Sequence, residues 1–380
     1  MDSLPQEIID KIIDDLPLFS LRHSSLVAKR WRTRSQQRAL YKIYLVGGAM
    51  VRDWHREIQS NPGRISSYVQ FAIFKYIPYW TDPWLLCRVL ANLSSLTTLW
   101  ILHTEIPDKM PERVSQGGLG EGVTTLHLQG LWCPLSRLVS VILAFPGLQD
   151  LTISDPVLTE SWEAPPTYPM LPRRKPFDSL YITGIADRVP GTLANAQFTS
   201  RCLIFDVQAE SMQRFLVISS VTIVELVLMG VYLPACRPQS INSNFFIADS
   251  PGQWSPGLVI LPLFPILTSL KIYVDGRVPS PRLIRTLTSI STSSVPALAA
   301  ITLQCWWWSP FEPDRSSIAW DELEGWLVEM AKNAVVEGGL VLTLTRCQDD
   351  RVPEVLFPKF KEVGKIITNS LDPNARQWRT

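Results

Sequence analysis

Four histidines, six cysteines and 35 acidic residues are the groups in this 380-residue chain that could do covalent or acid–base chemistry. Their spacing matters more than their number. His23, His55, His103 and His127 have no partner at the separations of a metal site or a nucleophile–base pair. His127 is expected to be exposed on a strand, and the other three read as surface residues. Cys87, Cys133, Cys202, Cys236, Cys305 and Cys347 are scattered, and no pair has CxxC spacing, which predicts free buried thiols in a reducing compartment. Gly118-Leu119-Gly120-Glu121-Gly122 looks like part of a dinucleotide loop, but it precedes a strand where that chemistry needs a helix N-terminus. It reads as a flexible connection. Asp349-Asp350 lies in a loop, with nothing to arrange it as an acid/base pair. No catalytic residue, metal ligand or cofactor is assigned, and no enzyme is expected.

Binding chemistry is better represented. Lys29, Arg30, Arg32, Arg34, Arg38 and Lys42 form a basic run on one helical pattern. It lacks interleaved aromatics and a basic surrounding, so a solvated face ranks first, steering toward an acidic partner second and nucleic acid third. Trp306-Trp307-Trp308 follows a strand directly. End packing is the first reading of this cluster, and a hydrophobic partner contact is the second.

The elements that must position such contacts begin with the first forty residues. Ser3 and Gln6 have capping-box spacing, and Pro5 falls in the first turn. Ile8, Ile12 and Leu16 lie four apart, with Ile9 and Ile13 widening the stripe, and Pro17 stops the helix. Ser20 can cap a second helix through Leu26 and Val27, and a third runs from about Trp31 to Leu40. So short a bundle cannot bury all its apolar surface, and the remainder wants a partner.

The pattern Leu4-Pro5-x-Glu7-Ile8, Ile12, Leu16, Leu26-Val27-x-Lys29-x-Trp31 resembles the F-box, particularly that of fungal F-box proteins, over residues 3–43. Tyr41 stands where the family often has Trp. The match starts so early that no N-terminal extension is expected. The resemblance implies docking of a Skp-type adaptor and, through it, a cullin–RING ubiquitin ligase. Leu4, Pro5, Ile8, Ile12, Leu26, Val27 and Trp31 would form or support that interface.

Downstream, apolar residues recur in triplets separated by three and then two positions. Val69, Ala72 and Phe74 come first; Leu96, Leu99 and Ile101 next; then Val123, Leu126 and Leu128, and Leu148, Leu151 and Ile153. Phe177, Leu180 and Ile182 repeat the spacing, as do Ile223, Leu226 and Leu228, Leu267, Leu270 and Ile272, and Leu298, Ile301 and Leu303. Leu203 with Phe205 and Leu342 with Leu344 look like degenerate copies. The last two positions of each triplet share one face of a short strand. Between them, 82–93, 134–145, 210–219, 280–291 and 319–334 suit helices, and 355–371 is expected to be a closing helix. The triplets resemble the leucine-rich-repeat core, although its usual Asn is mostly missing. The expected fold is α/β: a three-helix F-box (1–45), then an irregular leucine-rich-repeat solenoid (46–380), parallel strands concave and helices outside. Pro-rich loops are expected near 155–176 and 233–265.

Alternation then sets outward positions, and Trp100, His127, Thr152, Tyr181, Val227 and Lys271 are the candidate target contacts. Hydrophobic residues make up 46% and charged residues 19%, which indicates globular structure, and the net charge of +1 gives no pull toward nucleic acid or membrane. Asp and Glu near the N-terminus do not fit a signal peptide, so an intracellular place, cytoplasmic or nuclear, is expected. These observations lead to the expectation of a non-catalytic receptor that brings a target protein to a ubiquitin ligase. The alternative is a leucine-rich-repeat scaffold working outside any ligase.

Overall fold

The computed structural model describes residues 4–61, 63, 65–77, 84–106, 110, 122–158, 175–183, 189–206, 212–230, 261–275, 281–306, 318–334, 339–345 and 357–369. The chain divides into two compact units: residues 1–169 with 184–186, and residues 170–183 with 187–380. Most of Gly118–Gly122, most of both Pro-rich stretches, Trp307 and Trp308 lie outside the described residues.

The first unit opens with α1 (Gln6–Asp15), a 3-10 turn (Leu18–Ser20), α2 (Leu21–Val27) and α3 (Lys29–Leu40). The α1 stripe splits between core and solvent. Ile9 and Ile13 are buried with Leu21, and Leu16 and Trp31 pack against them. Ile8 and Ile12, one position earlier, are exposed. Ser3 is not described. Gln6 makes no cap; its amide donates to Asp10 Oδ1 at 2.8 Å and to the Arg30 carbonyl at 3.3 Å. Ser20 makes no side-chain cap to α2 either. Instead, Ser24 and Ser35 share a buried hydrogen bond of 2.9 Å between α2 and α3.

The basic run on α3 corrects the solvated-face reading. Arg30, Arg34 and Arg38 lie four apart, on one side of the helix, and all three reach α1 or its flanks. Arg30 Nη2 donates to the Leu4 carbonyl at 2.8 Å. Arg34 grips Asp14 with two bonds of 2.8 and 2.6 Å. Arg38 Nη1 donates to the Ile13 carbonyl and, at 3.0 Å, to that of Leu16. The Ile13 carbonyl already accepts the Leu16 amide at 3.2 Å, so Arg38 adds a second donor there and reaches the Leu16 carbonyl just beyond the helix end. Lys29 and Arg32 are exposed and make no such contact among the described residues.

The strands follow: β1 (Lys42–Val46), β2 (Phe71–Lys75), β3 (Thr98–Leu102), β4 (Thr125–Gln129), β5 (Trp132–Cys133), β6 (Asp150–Ser154) and β7 (Val157–Leu158). The strands β1, β2, β3, β4 and β6 pair in that order, all parallel, and β5 pairs with β7 in a small ribbon of its own. Because parallel neighbours need crossover connections, helices lie between them: α4 (Gly47–Ser60), α5 (Leu85–Leu90) and α6 (Leu135–Leu143). Both strand residues of every triplet in this unit are buried, and so are the leading residues Val69, Leu96, Val123 and Leu148.

A turn recurs at the end of each strand. Tyr76, His103, Gly130 and Asp155 all take left-handed backbone, with φ of 52°, 47°, 56° and 46°. The amide of Tyr76 donates to the Leu102 carbonyl, that of His103 to Gln129 and that of Gly130 to Ser154. Gly130 is required twice over, because a Cβ there would sit 2.3 Å from His103 Nδ1. Entry into the strands repeats as well. Paired amides at 97–98 donate to the Gln70 carbonyl, at 124–125 to Thr97 and at 149–150 to Thr124.

The second unit contains β8 (Phe177–Thr183), β9 (Ser200–Asp206), β10 (Glu225–Gly230), β11 (Ser269–Asp275), β12 (Ala300–Trp306), β13 (Val341–Thr345) and β14 (Lys365–Asn369). They pair in chain order and are again parallel. Its helices are α7 (Val189–Asn195), α8 (Met212–Ser219), α9 (Pro281–Thr288) and α10 (Ile318–Lys332). The expected closing helix at 355–371 is absent from the described 357–369, where a 3-10 turn, Phe360–Glu362, leads into β14. The β-branched run Ile366-Ile367-Thr368 favours a strand, and Gly364, with no Cβ, passes against the Phe360 ring. Glu324, fully buried on α10, accepts the Lys359 amide at 2.6 Å and ties this segment down.

Two outcomes test this packing. Replacing Leu151 by Ala should cost about 2–5 kcal/mol of stability in urea unfolding, the usual penalty for an unfilled core site. Arg34 hydrogen-bonded to Asp14 holds that carboxyl below its ordinary value of 3.8. A depressed carboxylate contributes stability that is complete above its unfolded pKa and lost as pH falls through the folded one. Asp14→Asn should therefore flatten the loss of bundle stability below about pH 4, followed by circular dichroism in an acid titration.

Candidate binding surfaces

Two surfaces carry the candidate residues, and each begins from a local folding constraint. In the helical bundle the core is only Ile9, Ile13 and Leu21, with Leu16 and Trp31 at its edge. Trp31 is thus a half-buried support. Leu4, just before α1, and Ile8 and Ile12 on it follow one another at intervals of four and are 37%, 42% and 38% exposed. Leu26 and Val27, at the end of α2, are far more open at 78% and 63%. Pro5 is exposed at the head of α1. The 3-10 turn adds Leu18 at 69% and Phe19 at 79%, two residues that helical periodicity did not single out. Their signal in the sequence was a Leu-Phe pair straight after a proline stop, where no helical face exists to bury it. Seven large apolar side chains therefore stand in solvent around a three-residue core.

The second surface is the strand face opposite the buried triplets. Register aligns Trp100 with His127 and His127 with Thr152, so these three form one row in the first unit. The row continues through Ile73 to Tyr44. In the second unit, Tyr181, Ile204, Val227 and Lys271 form another row. The candidates are half-buried except Val227, which is 3% exposed and serves as packing beneath its neighbours rather than as an open contact.

The chemistry of the two rows differs. Trp100 stacks on His127 with centroids 4.8 Å apart, and Phe71 meets Trp100 edge-on at 5.1 Å. His127 is half-buried rather than exposed as expected. Burial pushes its imidazole below the usual 6.5, and a hydrogen bond with Gln129 opposes the shift. Beside this row, Lys42 Nζ lies 4.5 Å from the Phe71 ring centroid and Lys75 Nζ 4.8 Å from that of Tyr76. His103 stacks on Tyr76 at 5.2 Å, and its imidazole is also lowered, by burial and by Lys75, against an opposing pull from Asp155. In the second unit Lys271 is paired with Glu225 at 2.5 Å, and that bond holds its ammonium above the usual 10.5. An open cavity of about 560 Å³ is lined by Pro176, Arg201, Thr222, Val224 and Ile266 at the strand starts of this unit.

Among the described residues no cluster of His, Cys, Asp and Glu could hold a metal ion. Among the described residues Cys87 and Cys133 are buried thiols, and Cys202 is half-buried rather than buried as expected. The two surfaces offer contact chemistry: exposed aliphatics on the bundle, aromatic faces and cations on the strands.

Because His127 resists charging where it is, its NMR titration should have a midpoint below 6.5. The unfolded chain binds the extra proton, so stability should fall as pH drops below 6.5 and level off under the folded midpoint. His127→Gln should remove that part of the pH dependence.

Comparison with known proteins bears on the bundle. No curated protein matches the chain. Among solved structures, the crystal structure of the Rad7 and Elc1 complex in yeast aligns at 11% identity and a TM-score of 0.32, over 97% of this chain and 87% of that one. The F-box domain family matches residues 1–43. The helices that expose Ile8, Ile12, Leu26 and Val27, with Leu4 just before them, are therefore those of an F-box domain.

Proposed function

We propose that the chain is a target-receptor subunit of a ubiquitin ligase of the Skp adaptor–cullin–F-box type. The observation that carries this reading is the set of exposed apolar side chains on the F-box helices. Leu4, Pro5, Ile8, Ile12, Leu26 and Val27, joined by Leu18 and Phe19, would be covered by a Skp-type adaptor, with Trp31 supporting them from beneath. Fully burying an exposed Leu, Ile, Val or Phe is worth about 1.5–3 kcal/mol, so Leu18, Phe19, Leu26 and Val27 would contribute most and the already half-covered Leu4, Ile8 and Ile12 less. A cullin and the RING enzyme would join through that adaptor. The receptor itself does no chemistry; it holds a target's lysines near a charged ubiquitin carrier.

Residues 1–45 serve as the docking module and 46–380 as the receptor in this reading. The receptor is an irregular leucine-rich-repeat solenoid of the fungal F-box kind. Three regularities support it: parallel strands pairing in chain order within each unit, buried triplets, and the recurring turn after β2, β3, β4 and β6. The strand rows would meet the target, through Trp100, His127 and Thr152 in one unit and Tyr181 and Lys271 in the other. No described helix is long and apolar enough to cross a membrane, and the working place of such a receptor is the cytoplasm or nucleus.

Co-purification tests the proposal. The tagged chain should capture the adaptor and a cullin together, and Val27→Asp or the pair Leu4→Ala with Pro5→Ala should lower adaptor capture at least ten-fold. The thermal melt should stay unchanged, because these side chains are outside the core. Adaptor without cullin would indicate a scaffold; undiminished capture by both variants would refute the docking surface.

A further inference from the structure

Among the outward strand positions of the first unit the carboxylate is Asp150 on β6, and β1 to β4 carry cations alone. The outward positions of β1 to β4 are Lys42, Tyr44 and Val46; Phe71, Ile73 and Lys75; Thr98, Trp100 and Leu102; Thr125, His127 and Gln129. They include two lysines, no carboxylate and no arginine. Each ammonium rests over an aromatic ring, Lys42 on Phe71 and Lys75 on Tyr76. Among the described residues neither has an ion-pair partner, whereas Lys271 in the second unit is neutralised by Glu225. The two cations stand at opposite ends of an apolar floor. Lys42 pairs with Phe71 in register, and Lys75 is four residues further along β2. Four strand rises of about 3.3 Å and one strand spacing of about 4.8 Å put the two positions about 14 Å apart. Tyr44, Ile73 and Trp100 lie level with one another midway.

We propose that this face seats an acidic, extended segment of the target, with two carboxylates four residues apart and an apolar side chain midway between them. The proposal rests on the reading of the chain as a target receptor and adds the chemistry of what is received. In an extended peptide, positions i, i+2 and i+4 share one side, and i to i+4 spans about 13 Å. That matches the lysine separation and sets the middle residue between Tyr44 and Ile73, with the Trp100 ring in the same row one strand beyond. Cations on ring faces keep donor capacity for an incoming carboxylate, and the aromatic floor lowers the local dielectric around the pair. A phosphopeptide fits less well, because bidentate phosphate recognition relies on arginine forks and this face has none. His127, held neutral beside Trp100, extends the apolar floor.

The test is fluorescence anisotropy with the full-length chain and a fluorescein-labelled, C-terminally amidated peptide containing Asp-Ser-Leu-Ser-Asp. It should bind, weaken with added salt, and bind at least ten-fold tighter than the same peptide with both Asp changed to Lys. Lys42→Glu and Lys75→Glu should each weaken it at least ten-fold, and Trp100→Ala comparably. The lysine changes lie on the solvent side of the sheet and should leave the circular dichroism melt unchanged. Equal binding of the Asp and Lys peptides, or undiminished binding by the double Lys42→Glu, Lys75→Glu variant, overturns the proposal. So does a phosphoserine version that binds ten-fold tighter than the Asp peptide. Adaptor capture by the same preparation separates the two readings. Peptide binding without adaptor capture upholds the acidic-segment site and counts against the ligase role; adaptor capture without peptide binding overturns the site alone.

Discussion

The register between parallel strands is the constraint on which the rest of this molecule depends. Leu99 aligns with Leu126 and Leu126 with Leu151, and all three are buried. Trp100, His127 and Thr152 align one position on and face the other way. A slip of one residue in any pair would exchange the two sets and drive a histidine, a threonine or a tryptophan into the place of a core leucine. The turns depend on the same alignment. His103 donates to the Gln129 carbonyl because β3 and β4 end level, and that level ending sets its imidazole against Gly130. A side chain at Gly130 would disturb the turn and the strand ending together.

The helical bundle solves a different problem. Three fully buried residues are a small core, and other forces must hold the helices in place. The arginines of α3 supply them, through Asp14 and through the carbonyls of Leu4, Ile13 and Leu16. Exposed ion pairs alone contribute little. Arg38, however, donates to the Ile13 and Leu16 carbonyls at the end of α1, and Arg34 makes a bidentate contact with a carboxylate. Fastening by polar contacts on one side leaves the aliphatics of α1 and α2 free on others. A larger core would have buried Ile8, Ile12 and Val27, and would have removed the surface that a partner can use.

How far these features were legible follows from the range of the interactions behind them. The triplets were readable because strand burial has a fixed period and every copy repeats it; Leu298, Ile301 and Leu303 announce their strand without knowledge of its neighbours. Helix limits at 134–145 and 280–291 were readable within a few residues for the same reason. The arginine contacts were not, because a helix face made of Arg30, Arg34 and Arg38 looks alike whether it meets water or the end of α1. The spacing of four was visible, and the position of α1 was not. The segment 355–371 was misread since Leu356, Phe360 and Val363, at i, i+4 and i+7, mimic helical spacing. Pairing with β13 and the buried carboxylate of Glu324 decide it, and both come from distant chain. Val227 takes its outward position yet is buried there, since alternation gives direction and says nothing of depth.

The lysines make the same point for chemistry. Lys42, Lys75 and Lys271 occupy equivalent outward positions on short parallel strands, and composition cannot separate them. In the second unit Glu225 pairs with Ser269, which leaves its carboxylate diagonal to Lys271 and within reach of it. In the first unit Lys42 lies level with Phe71, and Trp100 is the diagonal neighbour beyond. One cation is neutralised by its own sheet and the other is set on rings that cannot neutralise it. An ammonium over an aromatic face keeps its full charge and part of its hydration, so it still gains from a carboxylate. The difference between a closed ion pair and an open binding position therefore comes from which residue stands beside a lysine in the next strand, and that is fixed by the register that buries the triplets.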